Sequence, residues 1–357
     1  KDAGSKTTFQ YLKMFLKMGY AVKFLGDNFL HEEPYSTTLQ QMGIEILYGA
    51  EYQSGIWDWI MKNKDEIDFA YLNRPHIATK YVDFLKKNTN IKIIYYGHDL
   101  HFLREYREYE LTGDIQKKRE SDYWKSIELA LMEKAAVSYY PSQVEVDAIH
   151  AQRPELKLKA ITAYVYERFL EQIDMDFAKR EGLLFVGGFA HPPNADAVLW
   201  FAREIFPLIR EKLAVNFYIV GSKVTEEIEA FHNPDGGIIV KGFVTEEELA
   251  SLYATCRVVV VPLRYGAGVK GKVVEAIYNG SAIVTTSIGA EGIPEAERVM
   301  KIADDPEAFA RMVEELYAEP AQCRRFCEET QKYIREHFSV EAAWNVIRED
   351  FLPEQEK

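Results

Sequence analysis

Short runs of β-branched and aromatic residues alternate with longer amphipathic segments along almost the whole chain. The clearest run is Val258-Val259-Val260-Val261, which is typical of a strand buried on both faces of a parallel sheet. Strands that alternate with helical segments indicate βαβ units, in which crossover helices join successive parallel strands. The sequence therefore predicts an α/β protein.

The same pattern predicts a similar set of strands in each half of the chain. In the first half we expect strands at 21–25, 44–48, 69–73, 91–96 and 136–140. In the second half we expect them at 183–186, 216–220, 238–240, 258–261 and 283–286. Helical periodicity lies between the strands, for example over 8–18, 57–64 and 77–87.

The length of 357 residues fits two domains of ordinary size. Residues 166–181 are charged, lack strand character and form the predicted linker. We therefore predict an N-terminal domain over 1–170 and a C-terminal domain over 181–338. The amphipathic segment 340–357 has no evident place in the second domain, and we predict that it crosses back onto the first.

The front of the chain is unusual for a doubly wound domain, which should open with a strand. The turn Ala3-Gly4-Ser5 instead stands directly before the first predicted helix. We therefore expect that the first strand is missing and that the chain is part of a longer polypeptide.

Composition and charge exclude some classes of function. The net charge is −13, and residues 1–175 carry 23 Lys and Arg against 26 Asp and Glu. Because the chain has no excess of positive charge that could attract phosphates, we expect no nucleic-acid partner. The chain has no apolar stretch long enough to span a bilayer and no leader-like run at its start. Its three cysteines are expected to be reduced thiols of a cytoplasmic protein, and the clusters Lys86-Lys87 and 117–119 permit peripheral contact with the inner membrane face.

The strongest candidate site is the segment 262–276, which follows a predicted buried strand and runs into a helix. Ligands of doubly wound sheets lie beyond the carboxyl ends of the strands. Gly266 and Gly268 let the backbone approach a ligand closely, and a helix N-terminus offers N–H groups to an anion. Lys270 and Lys272 add positive charge, so the segment suits two phosphates better than a neutral ligand. The alternative is a flexible turn with solvated lysines.

Other strand ends carry weaker signals. Gly187 and Gly188 follow a second-half strand and precede a helix that Asn194 is expected to cap. In the first half, His98 and Asp99 follow one strand and Arg74 follows another. His98 and Asp99 could bind sugar hydroxyls or handle a proton, or they could be an ordinary loop histidine and helix cap. Arg74 could meet an acceptor anion or form an ion pair.

The second half resembles the retaining group-1 glycosyltransferases of family four, which have the GT-B fold. The resemblance runs from Leu183 to Phe338 and rests on pieces in a fixed order. These pieces are Phe185-Val186-Gly187-Gly188, Tyr218-Ile219-Val220-Gly221, Lys241-Gly242-Phe243-Val244, Gly266 to Gly280 and Thr285 to Gly292. The first half is similar to the family more loosely, through Asp2-Ala3-Gly4-Ser5 and His98-Asp99. The resemblance implies two Rossmann-like domains that face each other across a cleft.

The resemblance also implies roles for individual residues. Gly187 and Gly188 would lie against the diphosphate of the donor, and Glu275, the second Glu of the family's E-x7-E motif, would hold the ribose. The backbone at Phe243 and Val244 would meet the base, and Gly266, Gly268 and Val269 would line the donor site. Gly4 and Ser5 would close over the donor or acceptor side, and His98 would contact the transferred sugar.

Two departures from the family pattern concern the donor contacts. Ala267 stands where the motif has its first Glu, and His191-Pro192-Pro193 replaces the Arg and Lys that often follow the first glycine turn. Lys270 and Lys272 are expected to supply the missing charge. A subset of the family has such a Gly-Val-Lys-Gly-Lys loop.

Together these features predict a retaining, metal-independent, hexosyl-type glycosyltransferase of polysaccharide biosynthesis with no cofactor. It would move a sugar from a nucleoside-diphosphate sugar to a glycan or lipid-linked acceptor, with Lys270 and Lys272 stabilising the leaving diphosphate. Two alternatives stay open. One is a non-catalytic module that binds the nucleotide sugar within a larger glycan-synthesis protein, and the other is a sugar-nucleotide epimerase of the same fold.

Overall fold

Strands and helices alternate through residues 3–352, the part of the chain that the computed structural model describes. The protein divides into two units. The first contains the described residues up to Leu100, Asp122–Val165 and the described residues from Ala343. The second contains His101–Ser121 and Tyr166–Ala342.

The first part of the described chain carries strands and helices in the order that follows. They are α1 (Ala3–Lys17), β1 (Lys23–Leu25), α2 (Tyr35–Gln41), β2 (Glu45–Leu47), α3 (Ala50–Asn63), β3 (Phe69–Asn73), α4 (Pro75–Asn88), β4 (Lys92–Tyr96), α5 (His101–Thr112), α6 (Ile115–Lys134), β5 (Val137–Tyr140), α7 (Gln143–His150) and β6 (Leu158–Ala160). Strands β3-β4-β5-β6 form a parallel sheet in that order, and β1 and β2 form a separate parallel pair.

The rest of the chain continues the alternation and then ends in helices. Its elements are β7 (Leu183–Val186), α8 (Pro192–Trp200), a π-helical turn (Phe201–Ile205), α9 (Phe206–Arg210), β8 (Phe217–Val220), α10 (Glu226–Glu229), β9 (Ile238–Gly242), α11 (Glu246–Thr255), β10 (Val258–Val261), α12 (Gly271–Tyr278), β11 (Ala282–Thr285), α13 (Ser287–Ala290), β12 (Lys301–Ile302), α14 (Pro306–Ala318), α15 (Pro320–Phe338) and α16 (Val340–Ile347). All four valines of β10 are buried, as expected for a central parallel strand.

The ten predicted strands all lie at observed strands, and no end differs by more than two residues. The pattern missed β6 and β12, because both are very short and each contains a lysine that interrupts the apolar run. Residues 166–181 contain no helix and no ladder strand, as predicted for the linker. No helix of residues 3–352 has the length and apolar character to cross a membrane.

The division into units differs from the predicted boundary of 1–170 at two places. Residues 101–121, which include all of α5, group with the second unit, and so do residues 166–170. The hydrophobic pattern could not show this, because it reports which helix face is buried but not what covers it. The predicted tail helix 340–357 is α16 plus a short 3-10 turn, Arg348–Phe351, and its residues 353–357 lie outside the described residues, as does Asp2.

The tail contributes aromatic rings to the core of the first unit. Phe351 is 4% exposed, and its ring centroid lies 5.0 Å from that of Phe15 and 5.1 Å from that of Phe69. The Tyr20 hydroxyl donates a hydrogen bond to the Phe351 carbonyl at 2.9 Å. Asp350 accepts a hydrogen bond from the Tyr139 hydroxyl at 2.7 Å. This part of the tail therefore belongs to the first unit's core.

Candidate functional site

The second sheet has the strand order β12-β11-β10-β7-β8-β9, with every neighbouring pair parallel. Counted along this unit, that is the 3-2-1-4-5-6 order of the Rossmann fold. The order reverses between β7 and β10, and ligands of such sheets bind at the carboxyl ends of the two strands that flank this point. Both glycine turns predicted from the sequence follow these two strands.

The first turn follows β7 and packs closely against the turn after β8. Gly187 N donates a hydrogen bond to the Val220 carbonyl at 2.9 Å. A Cβ on Gly221 would overlap the Gly187 carbonyl oxygen, and a Cβ on Gly187 would lie 3.1 Å from the Asn194 side chain. The backbone at Gly187 and Gly188 is therefore held in place by a close approach that a side chain on Gly221 would prevent.

The second turn follows β10 and leads into α12. Gly266 has φ of 137° and Gly268 has φ of 71°, which are conformations that glycine adopts at little cost. Lys270 is the N-cap residue of α12, and Lys272 lies in its first turn. The start of a helix carries partial positive charge, so the loop combines that charge with two ammonium groups. Val269 directly precedes Lys270 and is half-buried.

Lys272 and Asn194 join the two glycine turns. Lys272 Nζ donates a hydrogen bond to Asn194 Oδ1 at 2.8 Å, and Asn194 Nδ2 donates one to the Gly188 carbonyl at 2.7 Å. Asn194 is 5% exposed and lies inside the first turn of α8, whose N-cap is His191. The prediction that Asn194 caps this helix is therefore wrong, because its side chain bonds to the neighbouring turn instead.

The environment of Lys272 disfavours its charged form. Burial and the nearby charge of Lys270 lower the pKa of Lys272 to about 8, although Glu275 acts in the opposite direction. An anion bound beside this ammonium group would favour protonation and raise the pKa again. The surroundings of Lys272 therefore favour an anionic ligand.

Lys270 lies beside a buried carboxylate. Its side chain is 8% exposed, its Nζ donates a hydrogen bond to the Gly268 carbonyl, and it stands 3.7 Å from Glu291 Oε1. Glu291 follows α13 and also pairs with Arg107 Nη2 at 2.6 Å. The loop thus has one buried carboxylate between two cations.

The other predicted donor residues are placed as follows. Glu275 lies one turn further along α12 and influences the pKa of Lys272. Gly242 ends β9 with φ of 66°. Phe243, directly after it, is 81% exposed, and Val244 is half-buried. Phe243 and Val244 follow β9, which is one of the two edge strands of this sheet and lies two positions away from β7.

In the first unit, three predicted residues come together. A Cβ on Gly4 would lie 2.5 Å from Arg74 Nη2 and 3.3 Å from His98 Nδ1. His98 Nε2 forms a hydrogen bond with Asn73 Oδ1 at 3.0 Å, and its ring lies 4.3 Å from the Tyr96 ring. Arg74 and His98 both have positive φ values, 65° and 68°, which are uncommon outside glycine and often mark functional sites.

Ser5 and Asp99 lie beside this group in sequence. Ser5 follows Gly4 in α1 and is exposed. Asp99 is half-buried, and its charge is one cause of the raised pKa of Tyr95, after burial and Glu128. The loop after His98 is anchored, because Leu100 N donates a hydrogen bond to the buried carboxylate of Glu145 at 2.8 Å.

Residues 180–319, which contain both glycine turns and the two lysines, match the family model described as Glycosyl transferases group 1. This segment is similar to the group 1 glycosyltransferases. A protein described as an uncharacterized 44.6 kDa protein in the cps region of Klebsiella pneumoniae is 32% identical over 141 residues. That match covers 37% of this chain and 36% of the relative, so it spans about a third of either protein.

The fold of the chain is similar to those of solved glycosyltransferases. Sucrose-phosphate synthase from Thermosynechococcus elongatus matches with a TM-score of 0.69 and 13% identity, over 96% of this chain and 92% of that one. HepE from Anabaena, solved with UDP-glucose, matches with a TM-score of 0.69 and 15% identity, over 98% and 96%. The predicted α/β fold of GT-B type is confirmed.

Several residues of the glycosyltransferase segment and its surroundings escaped prediction. Arg107 and Glu291 reach the loop that follows β10 through tertiary contacts, and Asn73 holds His98. Glu291 was visible in the sequence only as part of the Glu291-Gly292 match, and Arg107 carries no local signal. Arg264, in the loop itself, donates from Nε to Asp196 Oδ2 at 2.9 Å and so ties the loop to α8.

Proposed function

We propose that this protein is a retaining, metal-independent glycosyltransferase of hexosyl type that uses a nucleoside-diphosphate sugar. The observation that carries the proposal is the link from Lys272 through Asn194 to Gly188 at the point where the strand order reverses. Two cations, a helix N-terminus and two glycine turns thus lie together at the carboxyl ends of β7 and β10. A diphosphate is the common group that suits all of them.

The neighbouring structures suggest which donor to test first. HepE was solved with UDP-glucose, and this fold is shared with that protein. We propose a nucleoside-diphosphate hexose as donor and use UDP-glucose as the first probe. A glycan or lipid-linked acceptor is the proposed partner, and synthesis of a polysaccharide on the cytoplasmic side of a membrane is the proposed setting.

The proposed reaction needs no side-chain nucleophile. The acceptor hydroxyl attacks the anomeric carbon on the face that the diphosphate leaves, and the departing diphosphate takes the hydroxyl proton. Lys270, Lys272 and the start of α12 stabilise the negative charge that develops on the leaving group. Glu275 holds the ribose diol, Phe243 and Val244 meet the base, and Gly266, Gly268 and Val269 shape the loop.

The first unit supplies the proposed acceptor and sugar contacts. His98, held by Asn73, would contact the transferred sugar, and Asp99 would assist it. Gly4 and Ser5 lie at the start of α1, where Gly4 leaves room for the Arg74 guanidinium. Arg74 would meet an anionic acceptor.

The proposal is tested by the fate of the donor. The protein is incubated with UDP-glucose and then with other nucleoside-diphosphate hexoses, with membrane or glycan extracts as acceptor source. We expect release of the nucleoside diphosphate and a product whose anomeric configuration, read by NMR, equals that of the donor. An inverted product would overturn retention, and activity that requires an added divalent cation would overturn metal independence.

One observation favours a second function, a non-catalytic module that binds a nucleotide sugar. Ala267 stands at the position of the first Glu in the family's motif, so one carboxylate of the usual pair is absent there. Tight binding of a nucleoside-diphosphate sugar without turnover, on every acceptor tried and with the full-length protein, would select this function.

A further inference from the structure

Two prolines and a backbone hydrogen bond fix the position of Asn194 at the start of α8. Pro192 and Pro193 are the first two residues of the helix, where the N–H that proline lacks is not needed and its fixed φ suits the helix. Asn194 N donates a hydrogen bond to the His191 carbonyl at 3.0 Å, and the residue is 5% exposed. The Asn194 side chain therefore leaves the helix from a defined and buried point.

The side-chain amide of Asn194 has one orientation that satisfies both of its neighbours. Nδ2 donates a hydrogen bond to the Gly188 carbonyl at 2.7 Å, and Oδ1 accepts one from Lys272 Nζ at 2.8 Å. A flipped amide would place its oxygen against the Gly188 carbonyl and its N–H groups against the Lys272 ammonium group. The carbonyl of Gly188 thus ensures that Asn194 faces Lys272 with an oxygen.

The acceptor that Asn194 offers to Lys272 carries no charge. The hydrogen bond uses one of the three N–H groups of the ammonium and orients the group without neutralising it. A carboxylate at the same place would form an ion pair with Lys272 and would repel a diphosphate. The charged groups that influence Lys272 are Lys270 in its loop and Glu275 in its helix, and the centre of the Phe185 ring of β7 lies 6.0 Å from Nζ.

A second contact holds α8 against the loop that follows β10. Arg264 Nε donates a hydrogen bond to Asp196 Oδ2 at 2.9 Å, and the Arg264 guanidinium lies 5.7 Å from the centre of the Trp200 ring. Asp196 and Trp200 belong to α8, as Asn194 does. Two separate contacts therefore join α8 to the segment that carries Lys272, and they restrict movement of Asn194 relative to the ammonium group.

We propose that Asn194 is a positioning residue, which orients the ammonium group of Lys272 for the diphosphate of the donor through a neutral hydrogen bond. The inference rests on the proposed function, because it assigns Lys272 to that diphosphate. Asn194 acts through Lys272 and not through contact with the ligand. Its effect on ligand binding should therefore disappear when residue 272 has no ammonium group.

A double-mutant cycle with UDP as the probe tests this dependence. Calorimetric titration is made with the wild type, Asn194→Ala, Lys272→Met and the double variant. We expect Asn194→Ala to weaken UDP binding roughly tenfold, which equals about 1.4 kcal/mol. In the Lys272→Met background we expect the same change to alter affinity by less than about threefold, because no ammonium group is left to orient. A tenfold loss in that background would mean that Asn194 touches the ligand or only supports the turn at Gly188, and either result overturns the inference.

The pH dependence of UDP binding supplies a readout that a purely structural role would not change. An accepting oxygen favours the charged form of an ammonium group, so loss of the Asn194 amide should lower the pKa of Lys272 further below its usual range. In Asn194→Ala, the fall of UDP affinity with rising pH should therefore begin at a lower pH than in the wild type. An unchanged profile would contradict the inference.

Asn88→Ala is the matched control. Asn88 is a half-buried asparagine at the end of α4, and its Nδ2 donates a hydrogen bond to the Phe84 carbonyl at 2.8 Å. Its loss should leave UDP affinity unchanged. If Asn194→Ala does not fold, Asn194→Leu removes the same amide, keeps most of its volume and carries the same predictions.

Failure of the proposed function looks different. A wild type that binds neither UDP nor any other nucleoside diphosphate contradicts the donor site itself. If Lys272→Met binds UDP more weakly than the wild type while Asn194→Ala binds it equally well, only the role of Asn194 is contradicted.

Discussion

At the scale of single residues, Lys272 lies in surroundings that disfavour its charged form. Burial and Lys270 hold its pKa at about 8, while its Nζ is bound to Asn194 Oδ1. The free-energy cost of keeping this ammonium group charged falls when an anion binds beside it. Such a residue is suited to binding a diphosphate and to stabilising it as a leaving group.

This environment predicts that nucleotide affinity depends on pH. A bound diphosphate favours protonated Lys272, so UDP affinity should fall by up to about tenfold for each pH unit above about 8. Titration of UDP at a series of pH values measures this slope. Lys272→Arg keeps its charge throughout the range and should give a flat profile. The same decline in both proteins would rule out Lys272 as its source.

Loss of either loop lysine should reduce the reaction rate. Removing one preorganised contact to developing charge costs roughly 3 kcal/mol, which is about a hundredfold in rate. We expect such a decrease in donor turnover for Lys270→Ala and for Lys272→Ala. Lys332→Ala, which removes a lysine that is 69% exposed on α15, serves as the matched control. Unchanged rates in both loop variants would contradict their assigned role.

The sequence could indicate those candidate-site residues that form linear patterns after strands. Gly187, Gly188, Gly266 and Lys270 lie in the turns that follow β7 and β10, so periodicity and turn chemistry were enough to find them. Arg107 was missed because it lies far from the loop in sequence and reaches it only in the folded unit. The Asn194 prediction failed because its local sequence suits a helix cap, whereas its side chain bonds to Gly188 and Lys272.

At the scale of elements, the turns after β7 and β8 depend on a close backbone contact. A Cβ on Gly221 would overlap the Gly187 carbonyl oxygen, so the two turns can approach only if Gly221 has no side chain. This contact fixes the position of Gly187 and Gly188 at the carboxyl end of β7. Strand identity was predictable from the apolar runs, but this contact between turns was not.

Gly221→Ala should therefore destabilise the protein. Overpacking of this kind typically costs about 1–3 kcal/mol, which is on the order of several degrees in Tm for a domain of this size. Gly55→Ala provides the contrast, because Gly55 lies within α3 with no atom near its absent Cβ. That change should be neutral or stabilising. Equal melting temperatures for the two variants would show that the turn contact contributes nothing to the stability of the protein.

At the scale of the whole molecule, the last described residues complete the core of the first unit. The ring of Phe351 is 4% exposed and packs against those of Phe15 and Phe69. The amphipathic pattern of 340–357 indicated that the tail has an apolar face to bury. The partners of that face could not be read from the sequence, because they belong to elements far earlier in the chain, α1 and β3.

Phe351→Ala should lower the free energy of unfolding by about 3–5 kcal/mol, because loss of the side chain leaves a cavity between aromatic rings. Urea unfolding, followed by tyrosine and tryptophan fluorescence, measures the change. Val346→Ala in α16 is the control, since Val346 is 41% exposed. If the two variants unfold at the same urea concentration, the tail does not contribute to the core.

All of the proposed chemistry depends on the binding of a nucleoside diphosphate by Lys270 and Lys272 at the carboxyl ends of β7 and β10. Thermal unfolding with and without UDP measures this binding. At a ligand concentration of 100 Kd, binding should add about 2.7 kcal/mol of stability and raise the Tm of the wild type by several degrees. The Lys270→Ala, Lys272→Ala double variant should show no such shift. A wild type that no nucleoside diphosphate stabilises, or a shift that survives in the double variant, would contradict the proposed donor site.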